Sequence, residues 1–228
     1  MFKGIPKQTV SYLKALKANN NREWFEAHRK DYDDYFVEPA LQLIEALSPV
    51  AAALDPPHFA IPKVNKSLRR IHRDTRFSKD KTPYHTHLHI VLWTGDHPNR
   101  SAGTHLVFSD NHFGYGSGHW AFSGDGLERF RAAVQDNKAR AELDTALASA
   151  AKVDCTPGDP ELQRVPRGFD ADSPAADYLR RKGIVARTHN DPAYDKRLFG
   201  PEALDYLRDL LKALSPLNRW VNKHVETA

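Results

Sequence analysis

Residues 63–81 read KVNKSLRRIHRDTRFSKDK and run on into TPYHTHLHI, and this stretch is the part of the chain best equipped for chemistry. It carries eight Lys or Arg against two acids, Asp74 and Asp80, a local charge of +6 in a chain whose formal net charge is +4. Cations this dense repel one another unless an anion, a carboxylate network or open solvent disperses the charge. The first part, Leu68–Arg76, reads as extended chain, and a period of two would then put Arg70, His72, Asp74 and Arg76 on one face. Arg grips phosphate or carboxylate because its planar fork donates two hydrogen bonds at once, and a neighbouring Asp can hold the fork in place. Arg70, Arg73 and Arg76 are therefore candidate ligand-binding residues oriented by Asp74. The competing reading is an internal Arg and Asp network that staples a loop to a sheet.

The second part, FSKDKTPY, has turn chemistry: Ser78 and Asp80 can bond nearby backbone amides, and Pro83 fixes the exit into the next strand. Lys79 and Lys81 would add mobile point charges beside the rigid forks. Tyr84 either closes a pocket or packs. In the third part, YHTHLHIVLW, Thr86, Leu88, Ile90 and Leu92 form one face and His85, His87 and His89 the other. Adjacent members of that His row can meet on one metal ion, but the outer pair stands some ~13 Å apart between Cα atoms, so a third ligand would come from His72, Asp74 or His105. The alternative is a row of imidazoles dressing a half-exposed sheet face. Asp74 and His87 are the candidate acid or base groups.

These residues need a scaffold, and hydrophobic periodicity supplies one. Val10, Leu13 and Leu16 have helical spacing, and Asn20 with Glu23 fits a capping box opening a second helix. NREWFEAHRKDYDDYF presents Trp24, Phe25, His28, Tyr32, Tyr35 and Phe36 as an aromatic face, and Pro39 suits the first turn of a third helix, ALQLIEALSPVAAAL. Between about residues 68 and 122 the pattern turns to strands, expected at Leu68–Arg73, His85–Trp93, Thr104–Ser109 and His112–Trp120. Helices resume through LERFRAAVQ, capped by Asp125 and Glu128, through ARAELDTALASAA, and near 174–182 and 201–225. The expected fold is α+β: a central antiparallel sheet packed by N-terminal and C-terminal helices in one domain, residues 1–228.

Composition narrows the function classes. With 40% hydrophobic and 10% aromatic residues, the 228-residue chain is an ordinary globular protein. Its single Cys155 excludes an intramolecular disulfide and has no zinc-motif partner, which fits a reducing, cytoplasmic setting. No apolar run approaches the roughly 18 residues of a membrane span. GYGSGHW lacks the strand, helix and distal acid of a dinucleotide fold, and suggests a turn or bulge. No nucleophile elbow or P-loop is present, and no pattern identifies a cofactor.

The run RIHRDTRFSKDKTPYHTH resembles the signature of a bacterial and fungal family, domain of unknown function 2461. NNNREWFEAHRKDY and RVPRGFDADSPAADYLRRKG extend the resemblance over nearly the whole length. The matching positions include Asn20, Trp24, Phe25 and Tyr32, then Arg70, Arg73, Asp74, Arg76 and Phe77 through Lys81, then Pro83, Tyr84, His87, Pro166, Gly168 and Phe169. The resemblance implies fold relatives and no particular reaction. Two positions depart from it: His85 stands where Lys is expected, and Ser173 precedes Pro174 where His is frequent.

Two kinds of partner suit these residues. One is a small anionic ligand, a phosphorylated or carboxylated metabolite, in a shaped pocket. The other is nucleic acid or an acidic protein on an open basic patch, with Tyr84, Trp93 or Trp120 for stacking. A purely structural Arg and Asp network is the third.

Overall fold

The computed structural model describes residues 2–226; Met1, Thr227 and Ala228 lie outside the described residues. Helix α1 (Lys7–Ala18) buries Tyr12, Leu13 and Leu16. The next helix, α2 (Arg22–Ala27), is capped by Asn21, whose side chain accepts from the Trp24 amide at 2.9 Å. The cap thus falls one residue beyond the expected Asn20, whose amide group is engaged elsewhere. A short α3 (Arg29–Tyr32) continues through a wide turn at Asp33–Val37 into α4 (Glu38–Ala52), with Pro39 in its first turn as expected. The aromatic face points inward: Phe25, Tyr32 and Phe36 are buried.

Five strands form one antiparallel sheet in the order β1-β2-β3-β5-β4. They are β1 (Leu88–Trp93), β2 (Gly103–Phe108), β3 (Phe113–His119), β4 (Thr156–Pro157) and β5 (Ile184–Arg187). Strands β2 and β3 lie where periodicity puts them, and the glycines of GYGSGHW belong to continuously paired strand rather than to a turn or bulge. Between the sheet's third and outer strands come α5 (Asp125–Gln135), α6 (Asn137–Ala151) and the short α7 (Ala176–Leu179), and the chain ends in α8 (Ala203–His224).

The expected strand at Leu68–Arg73 is replaced by a loop tied to the sheet through isolated pairs, Leu68 with Ile90 and His72 with Tyr84. Backbone bonds join Arg73 to Pro83 and Ile71 to His85 in one register, then Arg69 to His89 and Ser67 to Val91 in another. The two registers differ by two residues, absorbed at the bent Thr86 and His87, so β1 begins at Leu88 rather than His85.

One sheet face packs on helices. Leu88, Ile90, Leu92, Leu106 and Phe108 are buried there with Leu43, Ile44 and Leu47 of α4. The last helix spans both core clusters, giving Leu207 and Leu211 to one and Leu214, Leu217 and Trp220 to the other. Its Asn218 is wholly buried, accepting from the Gly118 amide at 3.0 Å and donating to His58 Nε2 at 2.8 Å and Thr104 Oγ1 at 3.1 Å. Pro56 O can only accept, so His58 Nδ1, 2.8 Å away, carries the ring proton and leaves Nε2 free to receive Asn218.

Candidate functional site

The opposite face of the sheet is built in rows. Cross-strand pairing aligns Val91, His105, Gly116 and Arg187 at one level, and His89, Val107 and Gly114 at the next. Directly paired residues share a face, so the glycines of β3 leave a strip of bare backbone between side chains of β2 and β5. The result is a trough of about 460 Å³ with His89, His105, Val107, Trp120 and Arg187 among its walls.

Two of the three β3 glycines are dictated by packing. A Cβ on Gly116 would lie 2.6 Å from Ala186 O, and one on Gly118, at φ +120°, would lie 2.0 Å from Ile184 O. Gly114 is different: its Cβ would meet only Thr188 Oγ1, at 3.5 Å.

A second cleft, about 600 Å³, adjoins the trough and shares His89 with it; Arg69, Arg70, His72, Asp74, His85 and His87 also line it. The three His of the expected row therefore do share a face, and Arg70, His72 and Asp74 join them although their segment is no regular strand. Arg70 is exposed and makes no hydrogen bond or ion pair with the described residues, whereas Arg69 donates to Pro98 O at 2.8 Å and to the Asn99 side chain.

The remaining sequence-predicted residues separate from this group. Arg73 turns into its own loop, donating to Asp80 at 2.7 Å, to Thr82 O at 3.0 Å and to the Thr82 hydroxyl. Arg76 lies bidentate on Asp74, at 2.9 and 2.7 Å, and is not among the residues lining the cleft. Lys81 donates to Thr75 O at 2.9 Å, and Lys79 is exposed. Tyr84 is buried, its ring stacked on Phe25 at 4.1 Å.

The loop's charges are set locally. Hydrogen bonds from the Thr82 amide and hydroxyl, reinforced by Arg73, hold the Asp80 carboxyl at about 2. The Arg76 side chain, then its amide, lowers that of Asp74.

The imidazoles form a ladder, with ring centroids 5.2 Å apart for His85 and His87, 6.1 Å for His87 and His89, and 5.1 Å for His89 and His105. Burial, followed by neighbouring His and Arg charges, pushes His87 down to about 4, His89 to about 2 and His105 to about 4. All three are neutral at pH 7. His89 Nε2 and His105 Nδ1 are 2.8 Å apart, so one donates to the other. Spread along the cleft, the row does not converge: among the described residues no three His, Cys, Asp or Glu side chains are grouped to hold a metal ion.

Sequence reasoning missed Arg187, His112 and Asp191. Arg187 reaches the trough on a four-residue strand, and its guanidinium sits 5.7 Å from the centre of the Trp120 ring. His112 Nε2 lies 3.6 Å from the Asp191 carboxylate, which a loop with Asn190 at φ +60° and Asp191 at φ +46° presents to the trough. Consecutive left-handed residues are a local signal, since Asn and Asp tolerate that conformation best.

Among the described residues no helix is long and apolar enough to cross a membrane. Neither the curated proteins nor the solved structures contain a match to the chain. A family model described as "Conserved hypothetical protein (DUF2461)" matches residues 8–220, and the chain belongs to that family.

Proposed function

We propose that the protein binds a small anionic ligand, phosphorylated or carboxylated, in the cleft beside the His ladder. The observation that carries this reading is Arg70: an exposed guanidinium without a partner among the described residues, lining a concave site with His72, Asp74, His85 and His87. An unengaged planar fork in a cleft lined by imidazoles offers charge and directed hydrogen bonds to a single oxyanion. Arg73, Arg76, Lys79, Lys81 and Tyr84 then shape and charge the loop around the site, and any acid or base step falls to Asp74 or His87. No metal is invoked.

The chain works as one domain, since α8 runs through both core clusters. Cys155 is buried and its thiol is pushed up to about 12, which suits a reducing compartment such as the cytoplasm.

Thermal unfolding with ribose 5-phosphate tests the reading. Ligand at a hundredfold over Kd stabilises by about 2.7 kcal/mol, a Tm rise of roughly 5–10 °C for a chain of this size. The rise is expected for the native protein and absent in Arg70→Ala; no rise with any phosphate or carboxylate ligand would overturn the reading.

One observation favours a second reading, contact with nucleic acid or an acidic protein. Phe77 is 95% exposed beside Arg76, so aromatic and cationic groups stand together at the loop tip. Binding of that kind would weaken steeply with salt and depend on Phe77.

A further inference from the structure

Building on the anion site proposed above, we infer that the adjoining trough is a subsite for a flat heteroaromatic ring, so that the ligand is bipartite: a ring on the glycine floor joined to an anionic group at Arg70. A nucleoside monophosphate has this chemistry.

Three independent observations lead there. The first is Gly114. Strand packing requires glycine at 116 and 118, where a side chain would strike the β5 backbone, but nothing in the fold comparably occupies the space above Gly114. A strip one strand wide between β2 and β5, about 10 Å across by strand spacing, admits a ring laid on backbone. Close approach of a ligand to the backbone is a use to which strand glycine is suited.

The second is the wall. Val107, Val185 and Trp120 make it largely apolar, Trp120 is 69% exposed, and Arg187 stands over its ring. An exposed indole beside a guanidinium stacks well on another π-system. A site of about 460 Å³ with apolar walls and a few directed polar groups falls within the range of small-molecule pockets.

The third is the His89 and His105 pair, at the junction of the two cavities. Both outer nitrogens, His89 Nδ1 and His105 Nε2, lack partners among the described residues. If His89 Nε2 carries the shared proton, His89 Nδ1 accepts and His105 Nε2 donates; if His105 Nδ1 carries it, the roles reverse. In both cases the pair presents one donor and one acceptor, at its two opposite ends, to a ligand lying across the junction. The trough sets one cation, Arg187, against the Asp191 carboxylate, whereas the cleft holds Arg69 and Arg70 against Asp74, so the balance of charge leaves the phosphate to the cleft.

The experiment compares ribose 5-phosphate, the four nucleosides and the four nucleoside 5′-monophosphates by thermal shift and by quenching of tryptophan fluorescence. At equal concentration, at least one monophosphate is expected to raise Tm by at least twice as much as ribose 5-phosphate, and to quench. Gly114→Val should remove the excess and leave the ribose 5-phosphate shift intact. Trp120→Phe, a conservative change at an exposed position, should remove the quenching.

A monophosphate shift no larger than that of ribose 5-phosphate overturns the ring subsite and leaves the anion site standing. Failure of every phosphate compound overturns both. An undiminished excess in Gly114→Val, or quenching that survives in Trp120→Phe, likewise overturns the ring subsite.

Discussion

The side-chain amide of Asn20 closes on the backbone of Tyr84 from both sides, donating to its carbonyl at 2.9 Å and accepting from its N–H at 3.1 Å. A residue between the first two helices thereby fixes the segment that leads into β1 and carries His85 and His87. Asn20→Ala leaves two part-buried backbone groups unpaired and is expected to cost about 1–3 kcal/mol in urea unfolding. Asn20→Asp keeps the acceptor, loses the donor and sets a carboxylate against a carbonyl, so it should be no better. Asn21→Ala removes only a helix cap and should cost about 1 kcal/mol.

The buried Asn218 fixes α8 to the sheet through hydrogen bonds with Gly118 and Thr104, and to the loop after α4 through His58. Replacing it with Ala strands the Gly118 amide and two side-chain groups at once. The expected loss is about 3 kcal/mol or more, measured by chemical denaturation. A loss below 1 kcal/mol would mean that the network contributes little.

The β3 glycines should respond unequally. Gly118→Ala combines a left-handed backbone angle with a clash against Ile184 O, and should destabilise by about 3 kcal/mol or more. Gly114→Ala meets only ordinary contact and should stay within about 1 kcal/mol. Equal losses would contradict the strand register.

Acid should weaken the fold before the carboxylates titrate. His87 and His105 are held near 4 in the folded protein, and His89 lower still, against about 6.5 when unfolded. Below pH 6.5 the unfolded chain therefore binds more protons, and stability falls as pH drops toward 4, by up to about 1.4 kcal/mol per pH unit for each histidine. The carboxylates of Asp80 and Glu142, both near 2, act only at lower pH. Urea midpoints at pH 7.5 and 5.0 should differ, and His87→Gln should narrow the difference.

Cys155 should resist thiol reagents in the native state and react on unfolding. It is fully buried and its thiol is pushed up to about 12. Rapid native labelling would show that the core around α6 opens.

What the sequence disclosed follows from which signals are local. The long helices α1, α4, α5, α6 and α8 and the strands β2 and β3 each extend over six or more residues, enough for a period to register, and the density of cations around Arg70 is visible by inspection. Strands β4 and β5 are two and four residues long, too short for a period to register, so Arg187 could not be assigned to the site. The partner of Arg73 is seven residues away across a turn, and only the path of the loop brings Asp80 to it. Of the expected face, Arg70, His72 and Asp74 still share the cleft, while Arg76, beyond the last paired residue Arg73, turns back onto Asp74.

The pairing break at Thr86 and His87 has a parity. It displaces the pairing by two residues, an even step, so Tyr84 beyond it is buried in the same core as Leu88 and Ile90, while His85 still faces the cleft with His89. An odd step would exchange them, sending an imidazole into the aromatic core and a tyrosine into the cleft. Along this stretch of chain, residues can be added or lost in pairs, and a single insertion between His85 and Leu88 would turn the site inside out.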